Sequence, residues 1–426
     1  MSAEVARGPA PPEVAQEVAQ GLAAGALPGK FYGWLGAASV SVFGDAVLYF
    51  ALGWAATGIG PAWAGLVFTM ILLPRAVLLL LGGAAGDRWG ARRVMIVGDA
   101  AMCGLALLLA LSAHVWGAKG PLLVSAGLAI GVIDAFYLPA TGSFPRLLVP
   151  DEQLSRALSL RQSAAQIVGL LGAPASGALV AAGGLVVAAV VDASTFAVVL
   201  VALLVVRPQR RPPQPAAGTS VLRDAASGVR LVLADPSLRA LLAATGLVAA
   251  FVLPMTSLCV PLLVRGHGWS SSAAGFIVAA SAGGALAVSL IVARWGAFGR
   301  AGLVAGVGPL VASIGMAGIA IGTTTLTTFL GALVQGIGVG LFVSHMAPLV
   351  MAGASRTHLA RVQSMLSLAQ TLPLLFSNNV VAILASHTGA TVAALACAGG
   401  TAAAGLRLIT HPQVRNATPA TSSSPR

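Results

Sequence analysis

From Phe31 to Leu408 the sequence is a succession of apolar runs, beginning near Phe31, Ala62, Val94, Leu122, Ser163, Leu185, Leu241, Ser272, Ala301, Thr325, Val362 and Thr388. Each holds about twenty residues, which as an α-helix matches the hydrocarbon thickness of a bilayer. Inside lipid no water satisfies backbone N–H and C=O groups, so a spanning segment is either a helix or a strand of a closed barrel. Aromatic residues are only 5% of the chain while glycine reaches 52. That balance favours helices packed through small side chains over a barrel with aromatic girdles. Hydrophobic residues make up 57% and charged residues 8%, whereas soluble domains carry about a quarter charged residues. The chain therefore reads as an all-α integral membrane protein with twelve transmembrane helices.

The basic residues orient it. If the first span leaves the cytoplasm, all but three of the 24 lysines and arginines fall on the cytoplasmic side. Lys119 and Arg265 lie opposite, and Arg75 lies within a span. The positive-inside rule then places both termini in the cytoplasm of a multi-pass protein of the cell membrane. The same dispersal accounts for the net charge of +12 without a nucleic-acid surface, which would gather the charge into one patch. Residues 1–30 read as a mobile cytoplasmic tail with no cleaved signal pattern, and 409–426 as a disordered one. Residues 31–206 and 239–408 form two six-helix halves. The Pro-rich segment 207–238 links them and includes a short amphipathic helix over 220–234.

The halves repeat each other. Arg88-Trp89-Gly90-Ala91 recurs as Arg294-Trp295-Gly296-Ala297, 206 residues on, and Leu154-Ser155-Arg156 is echoed at Leu359-Ala360-Arg361, 205 residues on. Two matches at nearly one offset argue for a duplicated unit with the halves related by a pseudo-two-fold axis.

Between the second and third runs stands Gly83-Ala84-Ala85-Gly86-Asp87-Arg88-Trp89-Gly90-Ala91-Arg92-Arg93, read as a charged, glycine-punctuated turn at the membrane surface. Gly83, Asp87, Arg88, Gly90 and Arg92 fall on a pattern that resembles the signature loop of the major facilitator superfamily; Ala91 stands where arginine is usual. The resemblance implies two six-helix halves alternating access around a central site. It also implies that Asp87 helps close the cytoplasmic side against the start of the eleventh span, near Arg361. Gly44-Asp45, Pro74-Arg75, Leu138-Pro139-Ala140 and Asp192-Ala193-Ser194-Thr195-Phe196 look like its drug and secondary-metabolite efflux branch, which includes macrolide and siderophore exporters. Gly169, Pro174 and Gly177 resemble that branch's antiporter motif, with Ala173 and Ala178 replacing two glycines.

Charges within spans are where chemistry is expected. An Asp or Arg at mid-membrane costs roughly 2.5–3.5 kcal/mol on insertion scales, so it normally faces a partner or a water-filled cavity. Asp45, Arg75, Asp134 and Asp192 lie inside spans, and Asp99 nearer an end. At about 1.5 Å per residue, Asp45, Arg75 and Asp134 lie about 20, 16 and 12 Å from the cytoplasmic face. These depths let Arg75 pair with either Asp45 or Asp134. The expected main pair is Asp45–Arg75, with Asp45 or Asp134 carrying a coupling proton; the alternative is a permanent ion pair that locks two helices together. In the second half Gln335, His345, Gln370 and Asn378, with Asn379 beside it, are candidates to line a substrate cavity, although a lone membrane histidine more often bonds a neighbouring helix.

Other chemistries lack their signatures. Gly336-Ile337-Gly338-Val339-Gly340 sits inside an apolar run without the strand–turn–helix context of a nucleotide loop. No Walker lysine motif, metal-ligand cluster or nucleophile–base set stands out, so neither a cofactor nor enzymatic activity is expected. Cys103, Cys259 and Cys397 read as core filler. The expectation is a monomeric secondary transporter that exports a hydrophobic or amphipathic small molecule in exchange for protons. A metabolite-uptake symporter, or a non-transporting receptor or scaffold on the same fold, are the alternatives.

Overall fold

The computed structural model describes residues 27–207, 235–296, 298–352 and 359–411. Those residues are helical, with no strand among them, and include eleven helices long and apolar enough to cross a membrane. One of these, Glu152–Val205, has 54 residues, about 80 Å if straight and far more than one bilayer crossing. It is broken at Gly183 and Gly184, where Gly184 takes φ +60°. Counted as two arms, it brings the crossings to twelve.

The crossings are α1 (Gly29–Ile59), α2 (Pro61–Trp89), α3 (Ala91–Trp116) and α4 (Gly120–Ser143), then α5 and α6 as the two arms of Asp151–Val205. In the second half, α7 runs through Pro236–Pro254, a π-helical turn at Met255–Cys259, and Val260–Gly266. It is followed by α8 (Ser271–Trp295), α9 (Ala301–Ile321) and α10 (Thr325–Ala352). The eleventh, α11, comprises Leu359–Thr371 and Leu374–Thr388, parted around Pro373, and α12 is Ala390–Thr410.

The duplication is visible in the backbone. Gly90 joins α2 to α3 at φ +85° and Gly296 joins α8 to α9 at φ +86°. Gly184 between α5 and α6 (φ +60°) and Gly389 between α11 and α12 (φ +91°) form a second matched pair. The left-handed region is cheap only for glycine, so each half reverses its chain at equivalent places with the same device.

Apolar side chains point outward, as lipid permits: Val77, Leu108, Val205, Ile314 and Phe376 are all more than half exposed. Helices approach through small residues instead. On α10, Gly338 lies against the Gly308 carbonyl of α9, where a Cβ would sit at 2.5 Å, while Gly340 faces the Ala285 carbonyl of α8. The glycine run that superficially suggested a nucleotide loop is thus a helix wedged between two others.

One expectation changes here. The charged stretch from Gly83 to Arg93 is not a loop: α2 continues to Trp89 and α3 starts at Ala91, so Gly90 alone makes the turn. The helix that holds the fifth apolar run starts earlier than that run, at Asp151, because the mixed-polarity residues from Asp151 to Gln162 are helical as well. The tails before residue 27 and after 411, and the amphipathic segment over 220–234, lie outside the described residues.

Candidate functional site

Three helices of the first half converge on one carboxylate. The Tyr49 hydroxyl of α1 donates to Asp134 Oδ2 of α4 at 2.7 Å. The same oxygen is 4.0 Å from Arg75 Nη1 of α2. Asp45 precedes Tyr49 by one helical turn and so shares its face of α1. It is half-buried and within electrostatic range of Asp192, Asp134, Asp99 and Arg75. The arginine's ion pair is therefore with Asp134, not with Asp45 as expected, because Tyr49 holds Asp134 at the guanidinium.

The remaining acids lie deeper. Asp192 of α6 is wholly buried, with neither carboxylate oxygen hydrogen-bonded. It approaches α1 at Gly44, where a Cβ would lie 2.8 Å from Asp192 Oδ1 and collide with Thr195 Oγ1. Glycine at 44 is thus what lets α1 and α6 bring Asp45 and Asp192 into one neighbourhood. Asp99 of α3 is also wholly buried; the Tyr137 hydroxyl of α4 faces it, but no hydrogen bond of good geometry satisfies its carboxylate. Sequence reasoning passed over Tyr49 and Tyr137. The signal for Tyr49 was its spacing of four from Asp45.

The halves meet at the side opposite the chain termini, here the far side. Among the described residues, hydrogen bonds between halves occur at three places. Arg265 of α7 donates from Nη2 to the Trp54 carbonyl at 2.6 Å and from Nε to Thr57 Oγ1 at 3.3 Å. Asn379 of α11 donates to Thr69 of α2 at 2.6 Å. Ser271 of α8 donates to the Gly177 carbonyl of α5 at 3.0 Å. All three lie within about 13 Å of the far ends of their helices. The buried core follows suit: one cluster runs through both halves, whereas Phe31, Trp34, Phe144, Val199 and Leu203 form a separate core at the terminal side of the first half.

The antiporter-like residues divide. Gly177 sits at the α5–α8 seam, where a Cβ would lie 2.6 Å from the Ser271 carbonyl. Pro174 is half-buried one turn away. Gly169 is exposed, with open space where a Cβ would stand.

Of the signature residues, Arg92 has the clearest place. Its guanidinium donates to the Leu203 carbonyl at 3.0 and 2.7 Å and reaches the Leu204 and Val206 carbonyls at 3.3 Å. Those are the orphan acceptors that end α6. Arg88 is exposed, and Gly83 has open space around it. Its neighbour Gly82 is the close contact, where a Cβ would clash with the Ala135 carbonyl of α4. The backbone at Asp87 lies in α2 and that at Arg361 in α11, but neither side chain is among those described.

In the second half, His345 does not line a cavity. It is fully buried, its Nε2 accepts from the Phe298 N–H at 3.1 Å, its Nδ1 is 2.9 Å from the Leu341 carbonyl, and it stacks on Phe298. It therefore pins the start of α9 to α10. Gln335 is also fully buried, with both amide atoms unpaired, so it faces no open cavity in this conformation. Gln370 is exposed on α11. Asn378 is buried with its Oδ1 unpaired, and it is Asn379 that reaches the opposite half. Among the described residues no group of acids, histidines and cysteines has metal-binding geometry.

Comparison with known proteins places this arrangement. A family model described as Major Facilitator Superfamily matches residues 34–378. The multidrug efflux pump LfrA of Mycolicibacterium smegmatis is 34% identical over 141 residues, which is 32% of this chain and 26% of that protein. The chain thus spans about a quarter of the length of that relative. Among solved structures, a mutant form of the nucleoside transporter NupG superposes with TM-score 0.72 at 13% identity, covering 89% of this chain and 99% of the other. A bacterial homologue of the human lysosomal transporter Spinster, inward-facing and unoccupied, gives 0.64 at 17% identity over 90% and 96%. A D-xylose-proton symporter gives 0.66 at 13% identity over 90% and 100%. At those identities the likeness is one of fold.

Proposed function

This chain belongs to the major facilitator superfamily, and from that premise we propose that it is a proton antiporter exporting a hydrophobic or amphipathic small molecule, such as a drug, antibiotic or secondary metabolite. The observation that carries the reading is the carboxylate cluster of the first half. Asp45 and Asp134 face one guanidinium, Arg75, which is already engaged with Asp134, while Asp192 and Asp99 are buried near them with carboxylates that make no hydrogen bond. Four ionised carboxylates in a low-dielectric interior with one counter-charge would be costly, so the cluster is a natural place to hold and release a proton. Asp45, half-buried and without a hydrogen bond of its own among the described residues, is the acid most accessible for exchange.

The transport cycle follows from the seam. Residues at the far side seal the two halves against each other, so substrate enters from the side of the termini. That side is taken as cytoplasmic from the distribution of basic residues, with the protein in the cell membrane as a monomer. Substrate entering from that side finds Asp45 deprotonated, and rocking of the halves carries the loaded site to the far side, as in alternating access. There a proton binds Asp45, weakens its link to the Arg75–Asp134–Tyr49 set as substrate leaves, and is carried back to the terminal side by the return step. Asp87 acts as a gate on the terminal side. Export rather than uptake is supported by the resemblance to LfrA.

The test is reconstitution in proteoliposomes with a panel of lipophilic drugs and siderophore-like metabolites, recording proton movement with a pH-sensitive dye. Proton movement opposite to substrate establishes antiport. Movement in the same direction makes the protein a symporter, and substrate movement with no proton flux removes the coupling mechanism.

A further inference from the structure

A groove of about 430 Å³ opens on the surface of the first half, and none of the carboxylate cluster's acids lines it. It is walled by Ala85 and Trp89 of α2, by Val94, Val97, Gly98 and Ala101 of α3, and by Val132, Ile133 and Phe136 of α4, with Arg93 at its mouth. The α3 residues recur at three- and four-residue spacing, so they form one stripe that runs down about 12 Å from Arg93 into the membrane. Trp89 and Val97 are 60% and 68% exposed. Apolar walls ending in an arginine and a tryptophan have the polarity of a phospholipid: chain below, headgroup at the rim.

The arginine is available for that role. Arg92 is spent on the α6 carbonyls. Among the described residues, neither Arg93 nor the exposed Arg88 has an ion-pair partner. A second groove of about 450 Å³ between α9 and α10 supplies the contrast, since Ile314, Gly315, Gly318, Thr323, Thr327 and Leu330 give it no charge. That groove offers an anionic headgroup no counter-charge, whereas the first does.

We propose that the α2–α3–α4 groove is a binding site for one acyl chain of an anionic phospholipid whose phosphate sits on Arg93, with Arg88 beside it. Such a lipid packs along the Gly90 turn and braces α2 against α3 and α4. The site is independent of what the protein transports and in which direction.

Trp89 reports on it directly. The full chain in nanodiscs is compared with Trp89→Phe, so that the difference isolates Trp89 fluorescence, using brominated phosphatidylglycerol or brominated phosphatidylcholine at equal mole fraction in an unlabelled background. An anionic lipid held by one arginine is expected to quench Trp89 at about fivefold lower mole fraction than the zwitterionic one. Arg93→Gln should remove the difference and Arg93→Lys should keep it. A tryptophan reporter in the second groove, Leu330→Trp on the Trp89→Phe background, should show no preference. Equal quenching by the two lipids at Trp89, or a preference unchanged in Arg93→Gln combined with Arg88→Gln, overturns the site. Monodisperse elution of each variant ensures that folding is not the cause.

Discussion

The guanidinium of Arg265 in α7 lies 4.0 Å over the indole of Trp54 in α1 and donates to that same residue's carbonyl at 2.6 Å. A hydrogen bond from a charged donor and a cation–π contact thus act through one side chain to join the far ends of the two halves. Arg265→Ala removes both and should release the seam. With a coupling of about 1–3 kcal/mol, the far-open population should rise roughly 5- to 150-fold. Distances between spin labels at the far ends of α1 and α7 measure that shift. An unchanged distance distribution would show that the latch carries no weight.

The seam between α5 and α8 separates two glycines that look alike in sequence. Gly177→Ala puts a methyl 2.6 Å from the Ser271 carbonyl, whereas Gly169→Ala meets nothing. The first should lose most transport while remaining folded, and the second should keep it. Initial rates in proteoliposomes distinguish them.

The succession of apolar runs and the duplication are legible because they depend only on burial periodicity and residue type. Local geometry was not. Gly83 matches the family pattern, yet Gly82 makes the close approach, since a one-residue step turns the helix by about 100° onto a different neighbour. Arg75 was placed at the right depth for either acid, but its choice of Asp134 over Asp45 depends on Tyr49, a contact across 85 residues of sequence. Asn378 and Asn379 are adjacent, and only the three-dimensional phase of α11 shows that the second crosses to Thr69.

The Gly82 contact gives its own expectation. Gly82→Ala drives a methyl into the Ala135 backbone of α4 and should lower stability by about 1–3 kcal/mol, while Gly83→Ala should be close to neutral. Thermal unfolding in detergent, followed by a thiol-reactive dye, compares them; a tolerant Gly82→Ala would contradict the packing.

His345 should prove to be structural. Its ring bonds the Phe298 N–H and lies beside the Leu341 carbonyl, so His345→Ala removes those bonds at a cost of about 0.5–1.5 kcal/mol each. A lower Tm with an unchanged number of protons moved per substrate is the expected outcome. A change in that number would bring His345 into the coupling mechanism.

The central claim is that Asp45 carries the coupling proton, and substrate-driven proton flux in proteoliposomes, wild type against Asp45→Asn, tests it most directly. The variant should still bind substrate and exchange it across the membrane while its proton flux disappears. Wild-type proton flux in a correctly folded Asp45→Asn protein would contradict the account.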